Sequence, residues 1–222
     1  MTRPHTTLTF VRHGESDVTV RQVFGGELTC TGLSALGVRQ AEALRDRLVR
    51  TGGLDVDAFW ASTLPRAIET AEIVAPAVGQ VDFETDRDLE ELRPGPEADG
   101  TPFADYERRF GAFDQWAEPH RPIAPGGESL AEFQHRVGQA LFSLTDRSAA
   151  RSVLIVCHGG VIDAAFRSLV GYTHPTGLFS LNTSITEFRR LLDDDGQPTG
   201  RWVLMRYNDA AHLEGLPRKT ER

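Results

Sequence analysis

The tetrapeptide Arg12-His13-Gly14-Glu15 sets an imidazole beside a guanidinium, directly after the apolar run Leu8-Thr9-Phe10-Val11. A second apolar run, Val153-Leu154-Ile155-Val156-Cys157, ends the same way, in His158-Gly159-Gly160. Glycine beside each histidine leaves the backbone open to close approach. With an ordinary pKa of about 6.5, an imidazole keeps a free lone pair near neutrality, so His13 can act as a nucleophile. Neighbouring cations lower that pKa and attract a dianion. Arg12 is one such cation; Arg66, in Ala61-Ser62-Thr63-Leu64-Pro65-Arg66-Ala67, is a second. Guanidinium forks bind phosphate oxygens in pairs and match the charge spread over a transferring phosphoryl group. His158 adds a further donor, most of all if protonated. These residue types together point to phosphoryl transfer.

For distant histidines to share a site, two strands must deliver them to one edge of a sheet. In open α/β sheets ligands bind at the carboxyl ends of the strands. Strand-like and helix-like stretches do alternate along the chain, which predicts β-α-β units. Strands are expected at 7–11, 56–61, 81–84 and 152–157, and helices at 31–50, 64–77, 128–147 and 161–170. Pro65 suits the first turn of its helix, where a missing N–H costs nothing. Residues 184–192 and 201–207 read as a closing hairpin across Asp193-Asp194-Asp195-Gly196. Between Asp86 and Gly127 the pattern loosens and prolines interrupt it, which predicts a lid containing a helix at 103–117. The expected architecture is α/β, a three-layer α/β/α sandwich with a mostly parallel central sheet. Residues 1–214 are expected to form one domain, followed by a disordered tail at 215–222.

Bulk properties narrow the partners. The chain has 222 residues, 40% of them hydrophobic, and a formal net charge of -8. That acidity argues against nucleic acid or an anionic membrane surface as the main partner. A phosphate site must then be a local positive pocket in an acidic envelope. Two cysteines, Cys30 and Cys157, are too few for a disulfide framework, so a cytoplasmic location is expected. No apolar run is long enough to span a bilayer. The remaining histidines show no paired metal-ligand spacing, so neither metal nor cofactor is expected. Trp60, Trp116 and Trp202 read as packing anchors. Cys157 reads as a buried core residue.

Three motifs, Arg12-His13-Gly14-Glu15-Ser16, Leu64-Pro65-Arg66-Ala67-Ile68-Glu69-Thr70-Ala71 and His158-Gly159-Gly160-Val161, resemble the histidine phosphatase superfamily in order and spacing. Leu33-Ser34…Gly37…Gln40-Ala41, Pro125-Gly126-Gly127-Glu128-Ser129 and Asn182-Thr183-Ser184-Ile185-Thr186 extend the resemblance over about residues 8 to 207. It implies a covalent mechanism in which His13 takes the phosphoryl group and Arg12, Arg66 and His158 form its pocket. It also implies a carboxylate that protonates the leaving oxygen and later activates water. Glu91, in Leu89-Glu90-Glu91-Leu92-Arg93-Pro94-Gly95, matches the acid position, with Asp88 and Glu90 as neighbouring alternatives. Thr19 stands where the family often has a phosphate-contacting asparagine; its hydroxyl still donates one bond. Gly95-Pro96-Glu97-Ala98-Asp99-Gly100 replaces the usual Gly-x-Trp-x-Gly, which reshapes that wall.

Three functions are compatible with these features: hydrolysis of a phosphate monoester, return of the phosphoryl group to a substrate as in a phosphoglycerate mutase, and phosphate binding for regulation. The mutase branch carries a longer insertion after the acid and a Tyr-Gly beside it, and both are missing. The Pro-Gly-Gly-Glu-Ser motif belongs more to the phosphatase branch. A small-molecule phosphate monoester is the expected partner, and a phosphoprotein offers the same dianion.

Overall fold

The computed structural model describes residues 4–79, 82–147, 152–174 and 177–217. Six strands form one sheet in the order β3-β2-β4-β1-β5-β6. β1 (His5–Arg12), β4 (Ser152–Cys157), β2 (Ala58–Ser62) and β3 (Glu84–Asp86) run parallel; β5 (Ile185–Leu192) and β6 (Pro198–Asp209) close the other side antiparallel. The expected mostly parallel α/β sheet is what the chain forms.

The two central strands read as unbroken apolar runs because both faces are covered. On β4, Val153, Ile155 and Cys157 face one core with α5 (Leu130–Arg147) and α6 (Gly159–Val170). Leu154 and Val156 face the other, with α2 (Ala35–Thr51) and α3 (Pro65–Val74). Helices thus lie on both sides of the sheet. The chain after β1 turns to the α2 face and the chain after β4 to the α6 face. Between these adjacent strands lies the switch point where α/β sheets open a crevice.

Local signals set most boundaries. Ser34 caps α2 by accepting from Gly37 N at 3.0 Å. Ser129 and Glu132 make a reciprocal capping box at the start of α5, at 3.3 and 2.9 Å. The Asp193–Gly196 turn joins β5 to β6, with Gly196 N donating to Asp193 O at 3.1 Å.

Several expectations shift. The lid helix, α4 (Phe103–Phe110), stops short of residue 117 because Gly111 takes φ +81 and ends it. The third strand was expected at 81–84 but pairs as Glu84–Asp86, opposite Trp60–Ser62 of β2, and position 81 lies outside the described residues. A short helix, α1 (Asp17–Arg21), was not anticipated; five residues are too few for a periodic signal. Of the expected disordered tail, 218–222 lie outside the described residues, while Leu216 N bonds Leu213 O at 3.1 Å.

Candidate active site

Register puts the two histidines level. Arg12 is the partner of Cys157 in the β1–β4 ladder, and His13 N donates to Cys157 O at 2.9 Å. Their rings stand 5.0 Å apart between centroids. Arg66 arrives from the first turn of α3 and places its Nε 3.2 Å from His13 Nε2 and 3.3 Å from His158 Nδ1. A guanidinium can only donate, so both ring nitrogens it meets are lone pairs. The proton of His13 is then on Nδ1, which donates to Gly14 O at 2.6 Å. His158 in turn donates from Nε2 to Ser62 Oγ at 2.7 Å. Each tautomer is fixed by its partners, and the lone pair of His13 Nε2 faces Arg66.

Both imidazoles are held far below the ordinary histidine pKa, first by burial and then by Arg66. They are neutral at neutral pH, which suits a nucleophile at His13. His158, fully buried, backs Arg66 through Nδ1. Arg66 itself is 4% exposed, and among the described residues its partners are the two imidazoles and Gly25 O, at 3.1 Å from Nη1, with no carboxylate. A buried cation without a counter-charge is costly, and a bound anion relieves that cost.

The loop after His13 is held by the motif at the start of α2. Glu15 N donates to Gln40 Oε1 at 2.8 Å, and Ser34 Oγ donates to Glu15 Oε1 at 2.8 Å. Gly37 has to be glycine: a Cβ there would lie 1.9 Å from Glu15 O. The carbonyl of His13 accepts from Asn182 Nδ2 at 2.9 Å, and Thr183 N donates to Arg12 O at 2.8 Å.

These residues open into a cavity of about 340 Å³ lined by Arg12, His13, Thr19, Arg66 and Glu91 among others. Thr19 Oγ1 lies 2.9 Å from Ser16 Oγ, a second hydroxyl on that wall. Of the three candidate acids only Glu91 lines the cavity. Glu90 is buried against Thr63 and Arg93, the latter at 2.9 Å, and Asp88 is exposed. Glu91 Oε2 accepts from Gly160 N at 3.0 Å. Arg12 also lines the cavity and donates to Ser180 O.

Sequence reasoning missed Arg136. From α5 it forks onto Glu128, at 2.7 Å through both Nε and Nη2, and donates to the carbonyls of Asp88 (2.8 Å), Glu90 (3.2 Å) and Glu91 (3.3 Å). The signal was present in part: Glu128 belongs to the Pro-Gly-Gly-Glu-Ser motif, and Arg136 follows about two helical turns later. Cys157 is fully buried, which pushes its thiol pKa up and makes it unreactive. Among the described residues no group of three or more His, Cys, Asp or Glu side chains is arranged to hold a metal ion, and no helix is long and apolar enough to cross a membrane.

Fold and site together define an α/β protein with two histidines and a buried guanidinium at a strand-order switch. The model of the histidine phosphatase superfamily (branch 1) matches residues 8–209, and the chain belongs to that superfamily. It is 32% identical to phosphoglycerate mutase-like protein 4 of Arabidopsis thaliana, over 92% of this chain and 85% of that protein. It is 31% identical to the 2,3-bisphosphoglycerate-dependent phosphoglycerate mutase of Brucella anthropi, over 85% of this chain and 93% of that one. Among solved structures, the mycobacterial glucosyl-3-phosphoglycerate phosphatase superposes with a TM-score of 0.74 at 26% identity, covering 94% of this chain and 100% of its own.

Proposed function

We propose that this protein is a metal-independent phosphomonoesterase working through a phosphohistidine on His13. The observation that carries the reading is Arg66, a buried guanidinium with no carboxylate partner among the described residues, whose Nε meets the lone pair of His13. A phosphoryl dianion supplies the missing negative charge and is drawn to the nucleophile by the same contact.

In the first step the Arg66 N–H turns from His13 Nε2 to a phosphoryl oxygen, and the freed Nε2 lone pair forms a bond to phosphorus while the bond from phosphorus to the ester oxygen breaks. Glu91, in its acid form, gives the departing oxygen its proton. Arg12 and Arg66 balance the charge on the equatorial oxygens, His158 holds Arg66 from behind, and Thr19 offers one hydroxyl. In the second step Glu91, now a carboxylate, takes a proton from water as its oxygen attacks phosphorus. The bond to Nε2 breaks, phosphate leaves, and both His13 and Glu91 return to their starting forms. Residues 86–127 serve as the lid over this chemistry. A cytoplasmic location fits the two free, buried thiols.

The names of the sequence relatives keep phosphoglycerate mutase chemistry as the second reading. The test is incubation of metal-stripped protein with a panel of phosphate monoesters that includes 3-phosphoglycerate, following free phosphate and product isomers together. Chelator-insensitive phosphate release, abolished in His13→Ala, is the expected result. Isomerisation without release would establish the mutase, and phosphate binding with neither would leave a regulatory site.

A further inference from the structure

The cavity at His13 is lined by two chemically different sets of residues. Its cations, Arg12 and Arg66, both sit at the histidine, and Glu91 is its one acid among the described residues. Its apolar lining is formed mainly by Phe24, Leu92, Pro94, Phe103 and Ile123. That wall is braced. Phe24 meets Phe103 edge-on at 4.9 Å and tilts against Tyr106 at 4.8 Å, while Tyr106 Oη donates to Ile123 O. Three separate stretches of chain, 22–25, α4 and the loop at 123, are thereby locked into one apolar surface. Phe103 keeps 51% of its area exposed, an unusual state for a phenylalanine that packs on its neighbours.

Nearby arginines are committed elsewhere. Arg87 and Arg93 line the adjoining cleft, paired with Glu27 at 2.8 Å and Glu90 at 2.9 Å. Arg109 bonds Thr101 at 3.0 Å and lies over Phe110. A second carboxylate or phosphate on the substrate would thus meet apolar walls and Glu91, unpaired, which is unfavourable.

We propose that the site selects phosphate monoesters whose leaving alcohol or phenol is uncharged and apolar, seated on Phe24, Phe103 and Ile123. This deepens the phosphatase reading and rests on it for turnover, but the wall can be tested without turnover.

The probes are straight-chain alkylphosphonates, methyl to hexyl, which carry the dianion but cannot be hydrolysed, together with 6-phosphonohexanoate, the carboxylate-bearing counterpart of hexylphosphonate. Calorimetry on the full chain should show affinity rising about fourfold per methylene, from the ordinary value of a buried CH₂. The carboxylate should weaken binding at least tenfold. In Phe103→Arg, a replacement at a half-exposed position, the preference for the uncharged phosphonate should shrink at least tenfold. The matching esters, hexyl phosphate and 6-phosphooxyhexanoate, should show the same ranking in kcat/KM. A flat ladder, or tighter binding of the carboxylate through release of Arg93 from Glu90, overturns the proposal. A steep ladder with no turnover of any ester would instead leave the apolar wall standing and remove the phosphatase reading.

Discussion

The carboxylate of Glu91 is docked on the backbone N–H of Gly160, 3.0 Å away, in the first turn of α6, the helix whose N-cap is His158. A loop acid and the second histidine are thereby tied to one element, although 67 positions separate them in sequence (158 − 91). The contact requires glycine, because a Cβ at position 160 would lie 2.1 Å from Glu91 Oε1.

Gly160→Ala should therefore displace the acid without removing it. The clash is with the end of a flexible side chain, and alanine is the better helix former, so folding stability should hold or rise. On alkyl phosphates kcat/KM should fall about 100-fold, a usual size for lost general-acid assistance. On 4-nitrophenyl phosphate, whose leaving oxygen needs little protonation, the loss should stay under about tenfold. Glu91→Gln should give the same pattern, and the double variant should be little worse than either single one. Equal losses on both substrate types would assign Glu91 a positional role instead.

The parts of this site legible in sequence are those carried by short contiguous runs. β1 and β4 are recognisable because burial on both faces makes them continuous apolar stretches, and each ends in its histidine. Arg66 is readable because Pro65 marks a helix start directly after a strand. The contacts that orient these groups join residues far apart, and no local pattern announces them. Arg136 on Glu128 and the carbonyls before Glu91, Asn182 under His13 and Ser62 behind His158 all depend on tertiary placement. The motif around Asn182 was visible, but its backbone duty was not. α1 and the truncation of α4 at Gly111 were hidden for a different reason: one is too short for periodicity, and the other is decided by a single left-handed glycine.

In the proposed mechanism Arg136 positions the acid, acting through the carbonyls of Asp88, Glu90 and Glu91. Lysine keeps the charge but cannot reproduce the fork on Glu128 or reach three carbonyls at once. Arg136→Lys should lower kcat on hexyl phosphate roughly 10- to 100-fold with KM within about threefold, and spare 4-nitrophenyl phosphate, since the phosphate pocket is untouched and only the acid is misplaced. Steady-state kinetics on the two esters, beside a thermal melt, makes the distinction. A lowered melting temperature with equal rate losses on both esters would mean that Arg136 only supports the fold.

Beneath the histidine loop, His212 ties the C-terminal turn to the site, and its ionisation should be visible in stability. Arg47 chelates Asp209 at 2.8 and 2.6 Å and lies 3.4 Å from His212 Nδ1, so the proton is on Nε2, which donates to Thr183 Oγ1 at 2.8 Å. Thr183 is the residue that bonds Arg12 O. Burial, then the Arg47 guanidinium, lowers the pKa of His212 to about 4, against an opposing pull from Asp209. In the unfolded chain the same imidazole titrates near the ordinary value of about 6.5. Above that value neither state is protonated, and the contribution to stability is complete. As pH falls from about 6.5 towards 4 only the unfolded state takes up the proton, so stability declines, and below about 4 the decline from this group ends. His13 and His158 shift in the same direction and add to the slope. At pH 5 unfolding should thus take up about one proton at His212, and His212→Gln, which can still donate to Thr183, should remove that uptake. Urea midpoints of the two proteins between pH 5 and 8 measure the difference. Parallel pH profiles would show that His212 is solvated and free to protonate in the native state.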